Sequence, residues 1–145
     1  MELMQLDRDQ INQKLAQLEE YVSQIKKYGQ KPESEFTADS MVEAAAERVI
    51  YKAAQQAIDI AQSISSSLGF GPPRYYRDLF IQLEKRGVIS KELEPKLEAM
   101  AGLRNKLAHE YAMINPKEIY QVAKRDYQDL IEFAKQISSY LKSAL

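Results

Sequence analysis

Apolar residues recur every three or four positions along most of this chain, the spacing that gathers them on one face of a helix. In the first segment Ile11, Leu15, Leu18, Val22 and Ile25 form such a stripe. Asp7 can cap it, Gln10 can reach back as the box partner, and Leu6 can fold onto Ile11, so a helix is predicted to begin at Asp7. The stripe ends near Tyr28-Gly29, and Lys31-Pro32-Glu33-Ser34 reads as a polar linker. A long second helix is predicted from Ala38 to Ser66, with Ile50, Ala53, Ala57, Ile60 and Ile64 on its stripe. Its alanines allow close approach by neighbours, which suits the central helix of a bundle. Glu47, Arg48, Gln55, Gln56 and Asp59 decorate it.

Ser65-Ser66-Ser67-Leu68-Gly69 ends that helix, and Gly71-Pro72-Pro73 makes a firm turn. A short third helix follows from Tyr75 to Arg86, with Leu79, Phe80 and Leu83 inward and Gly87 as its stop. Ser90 can cap the next segment, whose regular part starts near Pro95 and carries Leu93, Leu97, Met100, Leu103 and Leu107. Asn115-Pro116-Lys117-Glu118 is a strong helix start, stapled by Ile114 and Ile119, so the fourth helix must stop between His109 and Met113. The fifth carries Ile119, Ala123, Leu130, Ala134, Ile137 and Leu141. No strand pattern or internal repeat stands out. The expected fold is an all-α antiparallel bundle of about five helices. One domain is expected over residues 1–145.

Composition agrees: 45% of residues are hydrophobic and 28% charged, enough for one core and too apolar for a disordered chain. With no cysteine and one histidine, disulfides and thiolate metal sites are excluded and little remains for zinc, so no metal and no cofactor are expected. No apolar run of about 18 residues suggests a membrane span, and no basic-then-apolar leader is read, so the expected location is cytoplasmic. A net charge of −1 argues against a broad electrostatic clamp on nucleic acid but allows a local one. Arg74, Arg77, Lys85 and Arg86 form one basic cluster, and Arg104 and Lys106 another; solvated helix faces carry such clusters too.

The candidate chemistry lies in Arg104-Asn105-Lys106-Leu107-Ala108-His109-Glu110-Tyr111, which holds the only histidine. Histidine exchanges protons near neutral pH, arginine presents a rigid fork to phosphate oxygens, and tyrosine offers a hydroxyl. Arg104 and Tyr111, seven residues apart, share a helical face with Leu97, Met100 and Leu107 if the helix persists, being only about 20° apart. Arg104 thus interrupts an apolar stripe and needs a carboxylate, a phosphate or a wet cleft; Glu47 and Asp59 are the candidate carboxylates. His109 falls about 140° from Arg104 around a continuous helix. The helix must unwind near His109, or a second subunit must complete the site.

Arg104-x-x-x-x-His109-x-Tyr111 resembles the R-x-x-x-x-H-x-Y signature of HEPN-domain ribonucleases, and Asn105 matches the polar residue usual after the arginine. Ala46-Glu47-Arg48, Ala57-Ile58-Asp59-Ile60-Ala61, Pro72-Pro73-Arg74-Tyr75-Tyr76-Arg77, Gly87-Val88-Ile89 and Met100-Ala101-Gly102-Leu103-Arg104-Asn105 follow in the order seen in HepT-like toxins. The resemblance implies a helical bundle that dimerises with the motif in the dimer cleft. It implies a metal-independent endoribonuclease toxin of a type II HEPN/MNT toxin–antitoxin pair, acting on RNA. It implies as partner an MntA-like nucleotidyltransferase antitoxin that transfers AMP to the motif tyrosine, here Tyr111.

On this reading His109 acts as base or acid, Arg104 holds the scissile phosphate, Asn105 orients the phosphate or the histidine, and Tyr111 bonds to the phosphate. Lys106, Arg74 and Arg77 bind substrate, with Glu47, Arg48 and Asp59 behind them. The rival reading is a non-catalytic helical interaction or RNA-binding module partnering a nucleotidyltransferase, with Arg104 paired to Glu47 or Asp59 and His109 capping a helix end.

Overall fold

A computed structural model describes residues 7–109 and 114–144 of the chain, which are helical and without strands. In order they form α1 (Arg8–Tyr28), α2 (Glu33–Ala38), α3 (Ser40–Ser67), α4 (Tyr76–Lys85), α5 (Glu94–His109), α6 (Pro116–Gln121), a π-helical turn (Val122–Asp126) and α7 (Tyr127–Ser143). Asp7 caps α1 by accepting a hydrogen bond from the Gln10 amide. The staple residue Leu6 lies outside the described residues. All five residues of the first apolar stripe are buried.

The α3 helix touches every other α-helix, as its interleaved alanines lead one to expect. Its stripe is buried, together with Ala46, Ala54, Ile58 and Ala61. The start of α1 meets the end of α7, where the Arg8 guanidinium donates to the Leu141 carbonyl. The end of α1 meets the π turn through Gly29 and Ala123, so α1 and α7 run antiparallel. Phe80 and Phe133 join α4 to α7 edge to face, with ring centroids 6.4 Å apart.

Three expectations are corrected. The Lys31–Ser34 linker is partly helical: α2 begins at Glu33, buries Phe36, and sets it 5.4 Å from the Tyr120 ring. The long helix accordingly starts at Ser40, because the Asp39 carboxylate accepts from the amides of Met41 and Val42 at 3.1 Å and fixes the boundary there. The fifth helix is also not uniform, since Val122–Asp126 is wound as a π turn between α6 and α7.

Three punctuation marks stand as expected. Gly87 ends α4 with φ +75°. The Ser90 hydroxyl accepts from the Leu93 amide just ahead of α5. The Asn115 side chain accepts from the Lys117 amide at the start of α6.

The first turn of α5 stores a pH dependence. Burial, then a hydrogen bond to Glu98 and the charges of Glu98 and Glu84, raise the Glu94 carboxyl to about 7. Its Oε2 is buried without a hydrogen-bond partner. A carboxyl whose folded pKa is raised adds stability below its unfolded value near 4.5, and that stability is lost as pH climbs through about 7. Glu94→Gln should therefore raise the melting temperature at pH 8 and change it little at pH 5. Thermal melts at both values check this.

Candidate active site

Between α3 and α5 lies an open cleft of about 510 Å³, bordered by Glu47, Arg48, Tyr51, Arg104, Leu107, Ala108 and His109. Its α3 wall follows from a simple repeat. Glu47, Tyr51, Gln55 and Asp59 stand four residues apart, so their side chains stack along one face of the central helix. Arg104 comes from the last third of α5 and is half-buried against that face.

The guanidinium of Arg104 is held from four directions. Its Nε donates to Gln55 Oε1 at 2.6 Å, one terminal nitrogen donates to the Tyr51 hydroxyl at 3.3 Å, and the other to Asn105 Oδ1 at 3.1 Å. Its carbon lies 5.3 Å from the Tyr51 ring centroid and 5.4 Å from that of Tyr76. Gln55 is oriented in turn, because its amide nitrogen donates to Asp59 Oδ1 at 2.9 Å. An amide that donates to a carboxylate on one side can only offer its oxygen on the other.

The expected carboxylate partner is thus replaced. Among the described residues no carboxylate forms an ion pair with Arg104. Asp59 acts one bond removed, through Gln55, and Glu47 borders the same cleft. Neutral oxygens and ring faces stabilise the cation without cancelling its charge, which leaves it available to an anion. Arg48 adds a second guanidinium, 5.9 Å from the Tyr51 ring centroid. Burial, then a hydrogen bond to Glu43 and its charge, raise the Glu47 carboxyl to about 7.

His109 is exposed in the last helical residue of α5. The helix therefore persists to His109 without unwinding, and Arg104 and His109 border one cleft despite their angular separation. Tyr111 lies outside the described residues. Lys106 turns towards α6, its Nζ 3.3 Å from Glu118 Oε2. Arg74 and Arg77 lie beyond the cleft, on either side of Tyr75 at the start of α4, next to the Tyr76 that stacks on Arg104. No three His, Asp or Glu side chains among the described residues group so as to hold a metal ion, and no described helix is long and apolar enough to cross a membrane.

Tyr51, Gln55 and Tyr76 join the site without being marked as site residues by the sequence. The four-residue repeat from Glu47 to Asp59 was the available signal for the first two. Tyr76 carried none beyond its neighbours.

Comparison with known proteins agrees with this architecture. The chain belongs to the HepT-like ribonuclease family, whose model matches residues 18–137. It is 29% identical over 131 residues to the tRNA nuclease HepT of Aphanizomenon flos-aquae, covering 90% of this chain and 89% of that protein. It is 27% identical over 132 residues to the mRNA nuclease HepT of Shewanella oneidensis, covering 90% and 98%. The fold superimposes with a TM-score of 0.83 on the tri-AMPylated Shewanella oneidensis HEPN toxin solved in complex with MNT antitoxin, at 26% identity and covering 92% of this chain and 99% of that one.

Proposed function

We propose that this chain is the ribonuclease toxin of a toxin–antitoxin pair, cutting RNA by transfer to its own 2′-oxygen. The observation that carries the reading is the Arg104 guanidinium, fixed by neutral partners beside a cleft that His109 also borders. A phosphate seated on Arg104 exchanges water for a fixed charge, and the negative charge that grows on its oxygens in the transition state is met without further rearrangement. His109 takes the proton from the attacking 2′-hydroxyl or gives one to the leaving 5′-oxygen. Asn105 shares the Arg104 fork and steers the phosphate from the solvent side. Arg48 and Glu47 supply charge at the α3 wall. Lys106, Arg74 and Arg77 guide the strand towards the cleft. Two copies of the chain meeting at this face form one groove, so that each copy's histidine reaches the phosphate held by its own or its partner's arginine.

Control follows from the same chemistry. A nucleotidyltransferase antitoxin places AMP on the Tyr111 hydroxyl, adding bulk and negative charge two residues along the chain from His109 and repelling RNA. The family membership and the AMP-bearing neighbour support this part of the reading.

The test is digestion of RNA by the purified chain with EDTA present. Cleavage is expected, and RNA left intact by the dimeric chain would favour the non-catalytic module. In the same preparation coexpressed with the antitoxin, peptide mass spectrometry should find AMP on Tyr111 and cleavage should be lost. An unmodified Tyr111 in an inactive preparation would refute control by AMP transfer.

A further inference from the structure

Tyr75 is an exposed aromatic residue, 51% open to solvent. Two guanidiniums attend it, that of Arg74 at 5.5 Å and that of Arg77 at 5.2 Å from the ring centroid. Among the described residues neither arginine forms an ion pair with a carboxylate. The next residue, Tyr76, turns its ring onto Arg104. Consecutive Cα atoms are about 3.8 Å apart, so Tyr75 stands one residue along the chain from the ring that covers Arg104. Two guanidiniums thus attend the open ring of Tyr75, and its chain neighbour Tyr76 attends the guanidinium of Arg104.

We propose that Tyr75 is a stacking platform for one unpaired nucleobase of the RNA strand that leaves the cleft, with Arg74 and Arg77 holding the phosphates on either side of that base. An exposed ring costs free energy in water unless something flat covers it, and a base offers such a face whatever its identity. A guanidinium stacks on a base as readily as on a ring, so either arginine can slide from the ring to the incoming nucleotide or to its phosphate. A free phosphate would use the two arginines and leave the ring idle. A paired base could not reach the ring, because its faces are already covered by its neighbours in the duplex. The platform therefore selects strands that are single-stranded beside the cut. It rests on the ribonuclease reading of the adjoining cleft.

The test uses the full chain and short single-stranded RNAs, 2′-O-methylated to prevent cleavage, each with the fluorescent base 2-aminopurine at one position in turn. Stacking quenches its fluorescence. Quenching on binding is expected at one position, and Tyr75→Ala should abolish it there and weaken binding between roughly five- and hundredfold. Tyr75→Phe keeps the ring face and should behave as the wild type. An abasic nucleotide at the quenched position should weaken binding to the wild type and add nothing to the loss in Tyr75→Ala, a comparison that needs no change in the protein for its first half.

Four outcomes overturn the platform: no quenching at any position, quenching and affinity unchanged in Tyr75→Ala, a Tyr75→Phe chain as weak as Tyr75→Ala, or a changed oligomeric mass in Tyr75→Ala with binding intact, which would give the ring to a protein contact. Cleavage of unmodified RNA without quenching would remove the platform and leave the ribonuclease reading standing. Quenching without cleavage would do the reverse.

Discussion

Cleavage of RNA should fall by about 10²–10⁴-fold when His109 is replaced by alanine, the range that a lost proton-transfer group produces. The helix that carries it ends at that residue and the side chain is exposed, so the melting temperature should hardly change. Arg104→Lys should lose about 10²-fold or more, although it keeps the charge. An ammonium cannot lie flat between the rings of Tyr51 and Tyr76, nor reproduce the Nε bond that Gln55 accepts. It would leave the Gln55 oxygen without the donor it has in Arg104 Nε. Initial rates on one RNA, with circular-dichroism melts of each variant, decide the matter. If His109→Ala cuts at the wild-type rate, histidine catalysis is wrong. If Arg104→Lys does so, charge alone suffices and the clamp around the guanidinium has no catalytic meaning.

That clamp also marks where the sequence stopped being readable. The interruption of an apolar stripe by Arg104 was visible, and with it the need for a partner. A half-buried cation calls for a carboxylate, a phosphate or a wet cleft, and the carboxylates the sequence offers are Glu47 and Asp59. The fold met the need with an amide, a phenol and two ring faces, and kept the carboxylate of Asp59 one residue back. Nothing in local spacing distinguishes those two solutions, since both place polar residues four apart on α3.

The helical stripes, their caps and the central place of α3 were legible because each depends on a repeat within one segment. The α2 helix and the π turn were not. The first is short and exists because Phe36 finds the Tyr120 ring, a contact between residues far apart in the chain. The second is a widened turn in an otherwise regular apolar pattern, packed against the end of α1.

The contact between the end of α1 and the π turn gives the largest expected effect on stability. Gly29 closes α1, and a methyl group there would stand 2.2 Å from the Ala123 carbonyl oxygen, 2.6 Å from its carbon and 2.9 Å from the Lys124 Cα. All three atoms are backbone of the π turn, so no side chain can swing aside. The end of α1 would have to move away, and the Tyr120 hydroxyl, which donates to the Lys31 carbonyl at 2.7 Å, would be pulled off its acceptor. Gly29→Ala should cost about 3 kcal/mol, at the upper end for overpacking, and lower the melting temperature by roughly 10 °C. Gly102 is the internal control. It lies in α5 with open space where its Cβ would be, so Gly102→Ala should stabilise by about 0.5–1 kcal/mol through helix propensity. Opposite signs for two identical chemical changes would trace the cost to the contact with the π turn. A Gly29→Ala chain melting with the wild type would mean that α1 and the π turn do not approach as closely as this packing requires.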